Sequence, residues 1–97
     1  MRPEKQAKRF FVSGRVQGVG YRYFAMNAAE QISVTGYAKN LADGRVEVYA
    51  IGTSAQLRDF VRELQHGPAL AAVADVAEVE AEVLLAFSSE FSVTFDR

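Results

Sequence analysis

A chain of 97 residues with a formal net charge of −1 and 49% hydrophobic residues is expected to form a single domain over 1–97, large enough for one modest core. It contains no Cys, which excludes a disulfide framework, thiolate metal ligation and a cysteine nucleophile, and its near-neutral charge offers no electrostatic footprint for nucleic acid. Residues Met1 to Arg9 are too polar for a signal peptide, and no apolar run approaches the ~20 residues of a membrane span, so the expected setting is the cytoplasm, away from any membrane.

In chain order, Arg2, Lys5, Lys8 and Arg9 make a basic start that reads as a solvated, partly disordered tail. Lys8 to Ser13, rich in aromatic and β-branched residues, predicts a strand. It runs into a glycine loop. From Tyr21 to Ser33 the apolar residues Tyr21, Phe24, Ala25, Ala28 and Ile32 keep the helical interval and leave Asn27, Glu30 and Gln31 for solvent. Two strands, Gly36 to Leu41 and Arg45 to Ile51, flank the turn dipeptide Asp43-Gly44. Thr53, Ser54 and Gln56 are capping residues for a second helix whose stripe is Leu57, Phe60, Val61 and Leu64. Gly67-Pro68 stops it. Ala77, Val79, Ala81 and Val83 alternate with Glu78, Glu80 and Glu82, and Phe91, Val93 and Phe95 alternate with Ser92 and Thr94. Both stretches predict strands with one buried face, separated by a loop over 84–90.

The order β-α-β-β-α-β with a short terminal strand predicts an α+β fold, a ferredoxin-like split βαβ sandwich in which an antiparallel sheet carries two helices on one face. On that plan the glutamates stand on the open, solvated face. His66 at the end of the second helix suits the helix dipole and reads as structural, and the period-two spacing of Asp75, Glu78, Glu80 and Glu82 reads as a solvated surface rather than a metal or acid-base site.

The chemistry concentrates in Gly14-Arg-Val-Gln-Gly-Val-Gly-Tyr-Arg22, three glycines between a strand and a helix. Glycine permits φ > 0 and a close backbone approach, and the helix start supplies N–H groups without intrahelical partners, so the stretch suits an oxyanion. Gly14, Gly18 and Gly20 could equally serve only a tight turn. A cation at a helix start is disfavoured by the dipole, and an anion held by the Arg22 guanidinium would remove that conflict. Neither the Walker pattern nor the dinucleotide fingerprint fits, because no Lys-Ser/Thr follows the glycines and the elements do not form parallel βαβ units. Asn40, just before the Asp43-Gly44 turn, is the second candidate; its plain role would be a bond to its own backbone.

Residues Val12 to Arg22 resemble the signature of the acylphosphatases, and Gly36 to Glu47, including Asn40, Asp43 and Gly44, resemble that family's second motif. Arg22 and Asn40 stand eighteen positions apart, similar to the family's spacing. The resemblance implies hydrolysis of acyl phosphates to a carboxylate and inorganic phosphate, by a monomer that needs no cofactor or metal, with phosphate as product and inhibitor. It implies that Arg22 and the backbone N–H groups of Arg15, Val16, Gln17, Gly18, Val19 and Gly20 hold the phosphoryl group, and that Asn40 orients the attacking water. Tyr37-Ala38 stands where the family more often has Trp-Val, and the ending Phe95-Asp96-Arg97 is not the family's usual close. Two rivals remain: a binding module for RNA or a small effector, opposed by the glutamates and by a third strand without the stacking motif, and an acylphosphatase-like domain that binds anions without turning them over.

Overall fold

The computed structural model describes residues 4–94. β1 (Gln6–Arg15) is longer than the sequence pattern suggests and takes Lys8 and Arg9 out of the expected tail. Both are paired across strands, Lys8 with Glu78 and Glu80 and Arg9 with Glu47. Arg2 lies outside the described residues. α1 (Tyr21–Ile32) ends where Ser33 turns to φ 72 and donates its N–H to Ala29 O at 2.8 Å.

β2 (Thr35–Asn40) and β3 (Val46–Gly52) form the expected antiparallel hairpin, with Gly44 at φ 97 in the turn. α2 (Ser54–His66) carries the capping box read from the sequence: Gln56 N donates to Thr53 Oγ1 at 3.2 Å, and Thr53 N donates to Gln56 Oε1 at 2.8 Å. β4 (Ala72–Ala81) starts five residues before the predicted strand, and β5 (Phe91–Thr94) follows a single 3-10 turn at Leu85–Phe87. Phe95, placed in the last strand by its alternation, lies outside the described residues.

The sheet order is β4-β1-β3-β2-β5. The ferredoxin-like α+β fold holds, with one difference: β5 runs parallel to β2, so the sheet is mixed rather than antiparallel. The reason is the path of the chain. β4 lies at one edge, and the connection to the opposite edge crosses the face away from the helices, where Phe87 settles on Tyr37 and Tyr49 at ring distances of 5.1 and 5.7 Å.

Against the helices lies the main core, built on Phe10, Val12, Ala38, Val46, Val48, Phe60, Leu64 and Phe91. Phe60 bridges Phe10 and Phe91 edge-on, at 6.3 and 5.9 Å. A smaller cluster of Ala7, Tyr49 and Ile51, with Tyr37, Ala81 and Phe87, covers part of the other face.

The glutamates of β4 are not on the open face. Lys8 pairs in register with Ala50 of the main core and with Glu80, and Phe10 pairs with Glu78, so Glu78 and Glu80 stand on the helix side, at the sheet margin. Their alternation partner Val79 is on the other side and 49% exposed. Lys8 lies between the two carboxylates and pairs with both at the sheet margin. The Glu78 hydrogen bond in turn holds the Lys8 ammonium above its ordinary pKa.

Candidate active site

β1, β2 and β5 all end, and β3 begins, at the same end of the sheet, and the functional side chains gather there. The loop that leaves β1 is built in two parts. Gly14 belongs to the strand: β4 carries an extra residue at this point, with Ser13 opposite Asp75 but Gly14 opposite Val73. A Cβ on Gly14 would lie 2.2 Å from Ala72 O and 2.6 Å from Ala74 N, at φ 117. Gly14 is therefore required by the close approach of β4. Arg15 is the last residue of β1, opposite Ala72, with its side chain exposed.

Val16 drops its side chain into the core at 1% exposure and fixes the near end of the loop. Gly18 and Gly20 then take φ 73 and 79, where an added Cβ would meet nothing within 4 Å. These two glycines are needed for the handedness of the backbone, not for room. Among the described residues, no backbone N–H from positions 16–20 donates to a backbone carbonyl outside the regular strands and helices. The far end is pinned by Tyr21, buried at 1% exposure, whose hydroxyl donates to Leu64 O at 2.7 Å. Burial pushes the Tyr21 phenol well above its ordinary pKa. Gly20 caps α1 without a side-chain hydrogen bond, and the first turn has no acidic residue, leaving the positive end of its dipole to whatever the loop holds.

Arg22, half-buried in that first turn, donates from Nη1 to the Thr94 carbonyl at 2.8 Å. Thr94 pairs in register with Lys39, the neighbour of Asn40, so β5 seats the guanidinium close to the end of β2. Asn40 pairs with Val46 and thus faces the helix side of the sheet. Its Oδ1 is buried and accepts no hydrogen bond from the described residues, so the plain alternative, a turn Asn bonded to its own backbone through this oxygen, is not what forms. Gln17 spans the gap between loop and hairpin, donating from Nε2 to both Leu41 O and Arg45 O at 2.9 Å. The turn carboxylate is engaged with its own hairpin. Asp43 accepts from Arg45 N at 3.1 Å and from Arg45 Nε at 2.8 Å, and the backbone bond of Arg45 holds its carboxyl below the usual range.

The structure thus brings together Arg22, Asn40 and the 16–20 backbone, and leaves the acidic residues of β4 elsewhere. Among the described residues, no group of three or more His, Cys, Asp or Glu is placed to hold a metal, and no helix is long and apolar enough to cross a membrane. On β3, Tyr49 is fully buried and covered by Phe87, so that ring offers no stacking surface. What sequence reasoning missed is the role of the Gln17 side chain, read only as a backbone contributor, and the anchoring by Tyr21 and Thr94. The one signal for Gln17 was a long amide side chain between residues otherwise glycine or valine.

A family model described as acylphosphatase matches residues 8–93. The chain is 51% identical over 78 residues to an acylphosphatase of Solibacter usitatus, covering 80% of this chain and 81% of that one. It is 46% identical over 77 residues to an acylphosphatase of Archaeoglobus fulgidus, covering 79% and 86% respectively. The crystal structure of acylphosphatase from Bacillus subtilis superposes with a TM-score of 0.86 at 36% identity, covering 94% of this chain and 99% of that one.

Proposed function

Since the chain belongs to the acylphosphatase family and hydrolyses acyl phosphates to a carboxylate and inorganic phosphate, we propose that Arg22, the loop backbone and Asn40 divide that chemistry between them. Arg22 and the N–H groups of Arg15 to Gly20 hold the phosphoryl oxygens. Their positive charge and donors balance the charge spread over those oxygens in a loose transition state. Asn40 Oδ1 accepts a hydrogen bond from the attacking water and fixes it in line with the bond that breaks. Water oxygen bonds to phosphorus, the bond from phosphorus to the acyl oxygen breaks, and the carboxylate leaves with the electron pair. Both water protons stay with the phosphate. A carboxylate is a good leaving group, so no general acid is required.

The observation that carries this reading is the Asn40 Oδ1, buried and accepting nothing from the described residues. An unpaired buried acceptor costs about 1–3 kcal/mol, and a water donating to it removes that cost while standing beside the phosphate loop. The same reading makes the reaction metal-independent, because a guanidinium and converging N–H donors attract an anion and repel a cation. It makes inorganic phosphate a competitive inhibitor, as the product fits the cradle that held the substrate. We further place the enzyme in the cytoplasm as a monomer.

The test is Arg22→Lys, which keeps the charge and discards the planar fork. The variant is expected to stay folded by circular dichroism and to lose roughly 1,000-fold or more in kcat/KM on a simple aromatic acyl phosphate. Near-native kcat/KM would remove Arg22 from this role.

A further inference from the structure

We infer that the Gln17 side chain is a positioning residue for the hydrolysis: its amide ties the phosphate-holding loop to the hairpin that carries Asn40 and so sets the distance between phosphorus and water. The inference rests on the roles proposed above for the loop and for Asn40. An amide nitrogen has two protons to give, and Gln17 Nε2 has two carbonyl partners, Leu41 O and Arg45 O, both at 2.9 Å. Leu41 follows Asn40 directly. The two acceptors already close the hairpin, since Leu41 N donates to Arg45 O at 2.8 Å and Gly44 N donates to Leu41 O at 3.2 Å. One nitrogen therefore joins the loop to both sides of the hairpin base.

The neighbouring anchors show why this bond matters to the reaction more than to the fold. Val16 is held in the core and Tyr21 is held to α2 through Leu64 O, so both ends of the loop are fixed without Gln17. Neither anchor reaches the hairpin turn. The residues 41–45 lie beyond the ends of β2 and β3 and are half-buried or exposed; the Arg45 guanidinium rests over the Phe11 ring of β1, and the Gln17 amide is the contact that joins this turn to the loop itself. An in-line displacement is sensitive to this distance, and a misplacement of about 1 Å can cost about 100-fold.

The experiment combines two substitutions at Gln17 with Asn40→Ala, on the full chain, with folding checked by circular dichroism and a thermal melt. Gln17→Met keeps the length and removes both donors. It is expected to lower kcat about 10- to 100-fold while inhibition by inorganic phosphate changes less than about 3-fold, because the loop itself stays anchored. In an Asn40→Ala background the same change is expected to cost less than about 3-fold further, since the residue it positions is gone. Gln17→Glu gives a second readout that does not depend on Gln17→Met folding. A carboxylate would face two carbonyl oxygens, whereas the protonated acid can donate to one, so its kcat relative to the native enzyme should rise as pH falls through the carboxyl titration.

Unchanged kcat in Gln17→Met beside a slow Asn40→Ala would overturn the inference alone, as would independent multiplication of the two effects, a parallel loss of phosphate affinity, or a flat relative pH profile for Gln17→Glu. A fully active Asn40→Ala would overturn the Asn40 role itself, and the inference with it.

Discussion

Gly14 and Gly18 look equivalent in sequence, both inside the glycine-rich stretch, yet replacing each by Ala should fail in opposite ways. At Gly14 a new Cβ meets Ala72 O at 2.2 Å and Ala74 N at 2.6 Å, both backbone atoms, at φ 117. A normal contact needs about 1 Å more, so β4 must move away where β1 and β4 are hydrogen-bonded. Backbone strain and overpacking each contribute on the order of 1–3 kcal/mol, and together about 2–6 kcal/mol. At Gly18 the added methyl touches nothing within 4 Å, and only the left-handed conformation is penalised, by about 1–2 kcal/mol. Urea denaturation followed by circular dichroism resolves the two. With m of about 1–3 kcal/mol/M, Gly14→Ala should lower the midpoint by at least about 0.7 M and Gly18→Ala by less. Turnover should show the reverse order, with Gly18→Ala the slower enzyme among the folded molecules because its backbone is proposed to hold the phosphate. A Gly14→Ala protein destabilised by less than about 1 kcal/mol would refute the assignment of Gly14 to the β1–β4 contact.

Two further outcomes follow from the site. Tyr21→Phe should cost about 1 kcal/mol at neutral pH by losing the bond to Leu64 O. It should also flatten the alkaline decline in stability: the unfolded chain releases the phenolic proton near its ordinary pKa of 10.0 while the folded chain keeps it, so stability is full below that pH and falls above it. Urea melts across pH 8 to 11 would show this, and an unchanged alkaline slope would contradict it. Dialysis against a chelator should leave kcat unchanged, and recovery of a lost activity by added Mg²⁺ would mean a different mechanism.

The backbone around both candidate motifs was legible in the sequence because each depends on local rules. Gly18 and Gly20 mark left-handed backbone before a helix, Asp43-Gly44 marks the hairpin that presents Asn40, and Thr53 with Gln56 marks the start of α2. What stayed hidden depends on partners far along the chain. The early start of β4 is masked because the extra residue opposite the Ser13/Gly14 junction breaks the period of two. Val73 and Val76, three apart, both pack on the main core. Glu78 and Glu80 read as the open side because they alternate with Ala77, Val79 and Ala81, but it is Val76 that packs on the main core while Val79 is exposed, so the glutamates share the helix side. The parallel pairing of β5 is set by where the 82–90 connection crosses the sheet, and no local pattern records that path. The double bond from Gln17 needed the hairpin's position before it could be seen.

The central claim, that Arg22 binds phosphate while Asn40 holds the water, is tested most directly by comparing Asn40→Ala and Arg22→Ala in turnover and in inhibition by inorganic phosphate. Asn40→Ala should lower kcat by about 100- to 1,000-fold, as loss of a single preorganised contact does, and leave the phosphate inhibition constant within about 3-fold. Arg22→Ala should weaken phosphate inhibition together with turnover. Equal loss of phosphate affinity in the two folded variants, or an Asn40→Ala enzyme with native kcat, would contradict the account.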